Sequence, residues 1–301
     1  MDWFNISRRG FVKMLGTAAV GPFLPLSSMA LGQRNGNRKI HAHLWMYASQ
    51  FPPDWDSTPI LDRIFSDFKY AGLDGIEIMD ANLRNEGIVP KLRRLIGEYG
   101  IPVIGASFYG DMWNSSMHGH IRKDAQKIIR NLSLVGASHL GITVGDAGRK
   151  KTEPELDDQA MILREVIKIC HDNGIDPNLH NHTFEMQYDQ VDFLGTLERV
   201  PEINLGPDVN WLIRSGIDPV KFIHDYGSKI TFIHLRDQDE KGLWTDSLGT
   251  GSTDFHGISR ALKKVGYNGD FTIELSYERQ PTHDLKEDLK KSREYVKNVF
   301  L

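Results

Sequence analysis

The feature that most constrains this chain is an alternation that starts near residue 39 and runs to the end. Short apolar runs recur: "KIHAHLWM" (39–46), "GIEIMD" (75–80), "PVIGASF" (102–108), "HLGITV" (139–144), "PNLHNH" (177–182), "INLGPDV" (203–209), "ITFIHLRD" (230–237) and "FTIELS" (271–276). Between them lie longer amphipathic stretches such as "PILDRIFSDFKYAG", "VPKLRRLIGEYG" and "DDQAMILREVIKICHDNG", several ending in Gly just before the next run. Short apolar runs bounded by turn residues read as buried strands. Stretches with helical periodicity that stop at Gly read as helices. Strands spaced roughly 30–35 residues apart, with a helix between each pair, must run parallel, because a parallel neighbour needs a crossover. Eight such units over about 260 residues predict an α/β fold, a single-domain (β/α)8 barrel (TIM barrel) spanning 39–301. A doubly wound open sheet is the competing arrangement, but no Gly-x-Gly-x-x-Gly follows the first run.

The first 38 residues do not share this pattern. Ser7-Arg8-Arg9-Gly10-Phe11-Val12-Lys13 precedes the apolar run "MLGTAAVGPFLPL", and Ser28-Met29-Ala30 supplies small residues where a signal would be cut. That order predicts an export signal over 1–30, and the paired arginines with Phe11 give it a twin-arginine character. The apolar run is too short and too broken by Gly and Pro to anchor stably in a membrane. Residues 31–38, "LGQRNGNR", are expected to be a tether. The expected location is therefore the periplasm or the exterior, with the twin-arginine export machinery as a partner. A signal that exports folded protein suits a protein that takes up a metal in the cytoplasm.

A formal net charge of −4 gives no support for binding nucleic acid or an anionic membrane. The single cysteine, Cys170, rules out an intramolecular disulfide, and its apolar helical context predicts a buried, inert thiol. A homo-oligomer is compatible with this sequence.

In such a barrel the active site lies at the C-terminal ends of the strands. Those ends carry His41 and His43, Glu77, His180, His182 and Glu185, Asp208, His234 and Asp237, and Glu274. Ionisable side chains in apolar strands are costly to bury without partners. Each alone has a bland explanation in a hydrogen bond. Together, at one mouth, they are most simply explained by a divalent cation. Two imidazoles and two carboxylates, His180, Asp208, His234 and Glu274, suit one Mn²⁺, Zn²⁺, Co²⁺ or Fe²⁺ better than Ca²⁺.

"ITFIHLRD", "IELSYE", "GPDVNWLIRSGIDPVKFIHDYGSKI" and "LGTGSTDF" resemble the xylose isomerase-like barrel superfamily over about residues 39–301. Within it they are similar to the sugar phosphate isomerase/epimerase group, which includes ketose 3-epimerases, inosose dehydratases and zinc-dependent AP endonucleases. The resemblance implies Asp208, His234 and Glu274 as metal ligands. At the strand-five position the family usually has Glu; here His180 takes it, with His182 or Glu185 as the other candidates. Where many members have a second-metal His, this chain has Trp211, which argues against a second ion and suits packing against a sugar ring.

The chemistry implied is isomerisation or epimerisation of a sugar or keto-sugar, by proton abstraction next to a carbonyl through a metal-stabilised enediolate. Elimination, as in a 3-keto-glycoside lyase or hydratase, is the alternative on the same site. A phosphodiesterase or AP endonuclease, or a sugar-binding barrel without catalysis, ranks below both. Glu185, His182 and Glu274 are the candidate bases. His43, Glu77, Trp211 and Arg279 are the candidate substrate contacts. "LGTGSTDF" is expected to be a conformational loop rather than a phosphate cradle, since it lacks the P-loop lysine.

Overall fold

The computed structural model describes residues 38–279, 281 and 284–301. The expected signal (1–30) and all of the expected tether except Arg38 lie outside the described residues. No helix among the described residues is long and apolar enough to cross a membrane.

Eight parallel strands follow the expected order: β1 (Ile40–His43), β2 (Ile76–Met79), β3 (Val103–Tyr109), β4 (His139–Thr143), β5 (Asp176–Leu179), β6 (Asn204–Leu205), β7 (His234–Leu235) and β8 (Phe271–Ile273). They pair in the order β6-β5-β4-β3-β2-β1-β8-β7. The two edges meet through parallel bridges at Leu205–Ile230 and Asp208–His234, which close the sheet. This is the (β/α)8 TIM barrel the alternation predicts.

The helices form for the reasons the sequence offers. Helix Leu61–Ala71 buries Ile64, Phe65, Phe68 and Ala71 at helical spacing and ends on Gly72 at φ 72°, where a side chain would be strained. Helix Glu153–Asp172 starts with a capping box between Thr152 and Glu155. Its Cys170 is fully buried, and burial pushes the thiol up to about 12. The strands are covered on both faces, as parallel strands are.

Several strands are shorter than the sequence suggests, and one cause recurs. The backbone leaves the ladder early to cap the next helix. β5 stops at Leu179, so His180 lies just past the strand, and His182 is the N-cap of helix Thr183–Arg199. β6 has two residues before Pro207, which has no N–H to offer a ladder, and Asp208 caps helix Val209–Arg214. The strand-end residues thus sit on strand-to-helix turns at the barrel mouth. In β2 a register shift between Ile76 and Glu77 marks the point where Glu77 enters the interior.

Candidate functional site

His180, Asp208, His234 and Glu274 are all buried, and one ligand atom from each lies within 4.8 Å of the others. Other contacts leave particular atoms for an ion. His180 Nδ1 lies 3.2 Å from the Gly206 carbonyl, which leaves its Nε2. Asp208 Oδ1 accepts the N–H groups of Asn210 and Trp211, at 2.8 and 3.2 Å, which leaves Oδ2. His234 Nε2 is 2.6 Å from Glu77 Oε2, which leaves Nδ1.

Asp208 Oδ2 and His234 Nδ1 are buried without a well-aligned hydrogen bond. Charges are nevertheless close: Arg236 Nη2 is 3.3 Å from Asp208 Oδ2, and Glu274 Oε2 is 2.8 Å from His234 Nδ1. Unsatisfied buried atoms of this kind call for an explanation. Two imidazole nitrogens and two carboxylate oxygens converging at one point fit a divalent transition ion. The Glu77–His234 contact is the carboxylate support that ligating histidines commonly have.

The electrostatics of the cluster are those of a self-compensated site. Burial would lower His234, but Glu77 and Glu274 outweigh it and push the imidazole up to about 10. Burial would raise Glu274, but Arg236, His43 and His234 hold it well below the usual carboxylate range. Asp208 is raised by burial despite Arg236. His180 is lowered well below its ordinary value by burial and by His234 and His182.

His182 is lowered to about 4, chiefly by burial, so it is a neutral imidazole. Its ring lies 5.0 Å from that of His180 and 5.5 Å from Trp211, and its Nδ1 is 3.5 Å from Thr143 Oγ1. His43 lines the same cavity, but both of its nitrogens are engaged. Nδ1 accepts the Trp45 N–H at 3.0 Å, so Nε2–H is fixed on Ser107 Oγ at 2.7 Å. Burial lowers it as well. Trp211 lines the cavity beside His182.

Three residues named from the sequence lie elsewhere. Glu77 does not line the cavity; it stands behind His234. Glu185 does not line it either. Its Oε2 accepts the His182 N–H at 2.7 Å, and the carboxyl is raised to about 8 by burial and by Asp192. Asp192 is tied to the buried Lys151 at 2.5 Å, between two helices. Arg279 is exposed and outside the cavity lining.

The glycine-rich loop 248–255 closes on the chain's own anion. The N–H groups of Gly249 and Gly251 donate to Asp237 Oδ2, both at 2.9 Å, and Thr253 N–H donates to Oδ1 at 3.3 Å. A side chain at Gly251 would fall 2.3 Å from the Gln238 carbonyl, so the turn needs glycine. The donors a phosphate would need are already used.

The profile of the xylose isomerase-like TIM barrel family matches residues 65–298. The chain belongs to that family. It is 24% identical, over 168 residues, to a protein named inosose dehydratase from Geobacillus kaustophilus (strain HTA426), covering 49% of this chain and 54% of that one. The chain thus spans about half the length of that curated relative. Among solved structures it resembles a D-allulose 3-epimerase from Methylomonas sp., with TM-score 0.70 and 19% identity over 87% of this chain and 97% of that one. It also resembles a 3-keto-D-glucoside 4-epimerase from E. coli, with TM-score 0.67 and 16% identity over 87% of this chain and 99% of that one. Likeness at this level of identity is likeness of fold.

One group in this xylose isomerase-like site escaped the sequence reading. Arg236 is 2% exposed, paired with Glu274 and Asp208, and its guanidinium lies over Trp211 at 5.2 Å and Trp244 at 5.4 Å. β7 ends at Leu235, so Arg236 lies just past the strand, where alternation does not signal its direction. The cavity that these residues enclose has a volume of about 700 Å³. Its remaining walls include Trp45, Trp55, Met79 and Tyr109, at and beyond the ends of β1 to β3.

Proposed function

We propose that this protein is a metal-dependent enzyme that isomerises or epimerises a sugar or keto-sugar by removing the proton next to its carbonyl. The observation that carries the proposal is the four-residue cluster, with ligand atoms within 4.8 Å of one another, three of its members lining one cavity beside the neutral imidazole of His182. His180, Asp208, His234 and Glu274 would hold the ion, which when bound would supply Lewis acidity for a carbonyl and its neighbouring hydroxyl.

His182 is the base. It is neutral across the physiological range, Thr143 sits at its Nδ1, and its other nitrogen is the one left for the substrate. His43 cannot compete, since its one lone pair already accepts the Trp45 N–H. Arg236 places a fixed positive charge beside the cluster, where negative charge develops as the proton leaves. Trp211 and Trp244 hold that guanidinium and offer an apolar face to the substrate.

The same abstraction, followed by loss of a group from the next carbon, is an elimination. The similarity to a protein named inosose dehydratase supports keeping this second reading. One experiment tests both. Keto-sugars and 3-keto-glycosides are incubated with protein and each candidate ion in deuterated water and followed by NMR. Deuterium at the carbon next to the carbonyl is expected, with epimer or isomer forming; an unsaturated product would select elimination. His182→Gln should slow exchange by roughly 10²–10⁴-fold. Absence of exchange from every substrate with every ion would reject the proposal.

A further inference from the structure

All four candidate ligands come from the ends of β5 to β8. The cavity extends well beyond them, to the ends of β1 to β3, where Trp45, Trp55, Met79, Arg84 and Tyr109 form the wall and none of these five belongs to the cluster. At about 700 Å³ it lies in the range that buries a ligand of several fused or linked rings, and it is several times the size of one sugar ring. A monosaccharide seated at the cluster would leave the β1–β3 half uncovered.

That half is built. Trp45 is fixed at both ends, its backbone N–H on His43 Nδ1 at 3.0 Å and its indole N–H on Ser276 Oγ at 3.3 Å. Trp55 leans on it, with ring centroids 5.4 Å apart and planes at 54°. Arg84 is oriented by Asp124 and Asp80, each at 2.8 Å, and supplies a fixed guanidinium at the outer edge. Trp55 also holds a backbone conformation that bulky residues avoid, at φ 54°, with its N–H on the Phe51 carbonyl at 2.7 Å. Such strain survives only where the surroundings impose it, and it gathers at ligand clamps. Here it presents an indole to a cavity wall.

We propose that the β1–β3 half of the cavity is a second sugar subsite with Trp55 as its stacking platform, so that the substrate is a carbonyl sugar joined to a second ring. This rests on the proposed function for the first ring. An aromatic face matches the C–H face of a pyranose, and guanidinium donors match its rim hydroxyls. Two kinds of molecule share this chemistry: a disaccharide ending in a ketose, and a glycoside with an oxidised ring hydroxyl. In the second the anomeric carbon is locked in the glycosidic bond, so the carbonyl must be a ring ketone, and a dehydrogenase-type oxidation must come before this step.

The test uses the full chain loaded with metal and two matched pairs: a ketohexose against a disaccharide ending in that ketose, and methyl 3-ketoglucoside against a 3-keto-disaccharide. In at least one pair kcat/KM should favour the two-ring member by about tenfold or more, and Trp55→Ala should bring the ratio towards one through KM, whereas Trp55→Phe keeps it. The pair that discriminates identifies the source. Binding is read separately, by tryptophan fluorescence with methyl glucoside, methyl maltoside and methyl cellobioside, which have no free anomeric carbon and no carbonyl. A disaccharide glycoside should bind about tenfold more tightly than methyl glucoside, and Trp55→Ala should erase the difference. Equal affinity for one and two rings, or a preference untouched by Trp55→Ala, would overturn the subsite. Loss of exchange with all substrates would instead overturn the reaction and leave the binding result to decide the subsite.

Discussion

His234 Nε2 lies 2.6 Å from Glu77 Oε2, both residues 2% exposed or less. The contact crosses the barrel interior from β7 to β2 and fixes which imidazole nitrogen faces the cluster. Glu77 touches no part of the cavity, so its effect must pass through His234. Glu77→Gln is expected to weaken the affinity for a divalent ion about 10–100-fold, with the far-UV circular dichroism unchanged. Competition with a chromophoric chelator measures this. Unchanged affinity would mean that the contact does not support a ligand.

Arg236 competes with an ion for the same two carboxylates. Arg236→Gln should therefore bind the ion at least as tightly as the parent, yet lose roughly 10²-fold in kcat, because the fixed charge beside the developing anion is gone. Metal content and steady-state kinetics on one preparation separate the two effects. A variant with full turnover would remove Arg236 from the site's chemistry.

How far these residues were legible in the sequence depended on cost. Asp208, His234 and Glu274 stand out because carboxylates and imidazoles in apolar runs are expensive to bury, and their order along the chain follows the barrel's strands. His180 was legible by composition but not by phase. β5 ends at Leu179, and the His180–His182 pair is brought together by the turn into a helix, not by strand alternation. Glu185 was misleading for a local reason. The order His182-Thr183-Phe184-Glu185 forms a capping box, which turns the carboxylate back onto the helix end. Arg236 was hidden because arginine is usually solvated, and only its pairing across three strands shows that it is buried. Trp45 and Trp55 lie beyond the end of β1, where no periodicity signals what the loop faces.

Glu185 gives a pH dependence of stability. Its carboxyl is raised from an ordinary 4.5 to about 8, by burial first and Asp192 second. Between those values the folded chain keeps a proton that the unfolded chain has released. The folded state then binds more protons, and this group's contribution to stability falls as pH rises. Glu185→Gln removes that slope. In chemical denaturation of metal-free protein the variant should match the parent near pH 4.5 and exceed it near pH 8 by roughly 4 kcal/mol, the linkage of a shift of this size. A difference that does not grow with pH would contradict the assignment.

We propose that the protein is exported, on the sequence of residues 1–30 alone, in which Arg8 and Arg9 precede the apolar run. Replacing Arg8 and Arg9 by lysine should hold the protein in the cytoplasm of a host with twin-arginine export, read by fractionation and immunoblot. Continued export of this variant would mean that another route is used.

The central claim is that His180, Asp208, His234 and Glu274 hold one divalent ion. The most direct measurement is elemental analysis of the protein after saturation with Mn²⁺, Zn²⁺, Co²⁺ or Fe²⁺ and dialysis, run beside folded His180→Ala and Asp208→Ala variants. The expected result is one ion per chain in the parent for at least one of these metals, and near-complete loss in both variants. A parent that retains none of them, or variants that retain the full complement, would contradict the account.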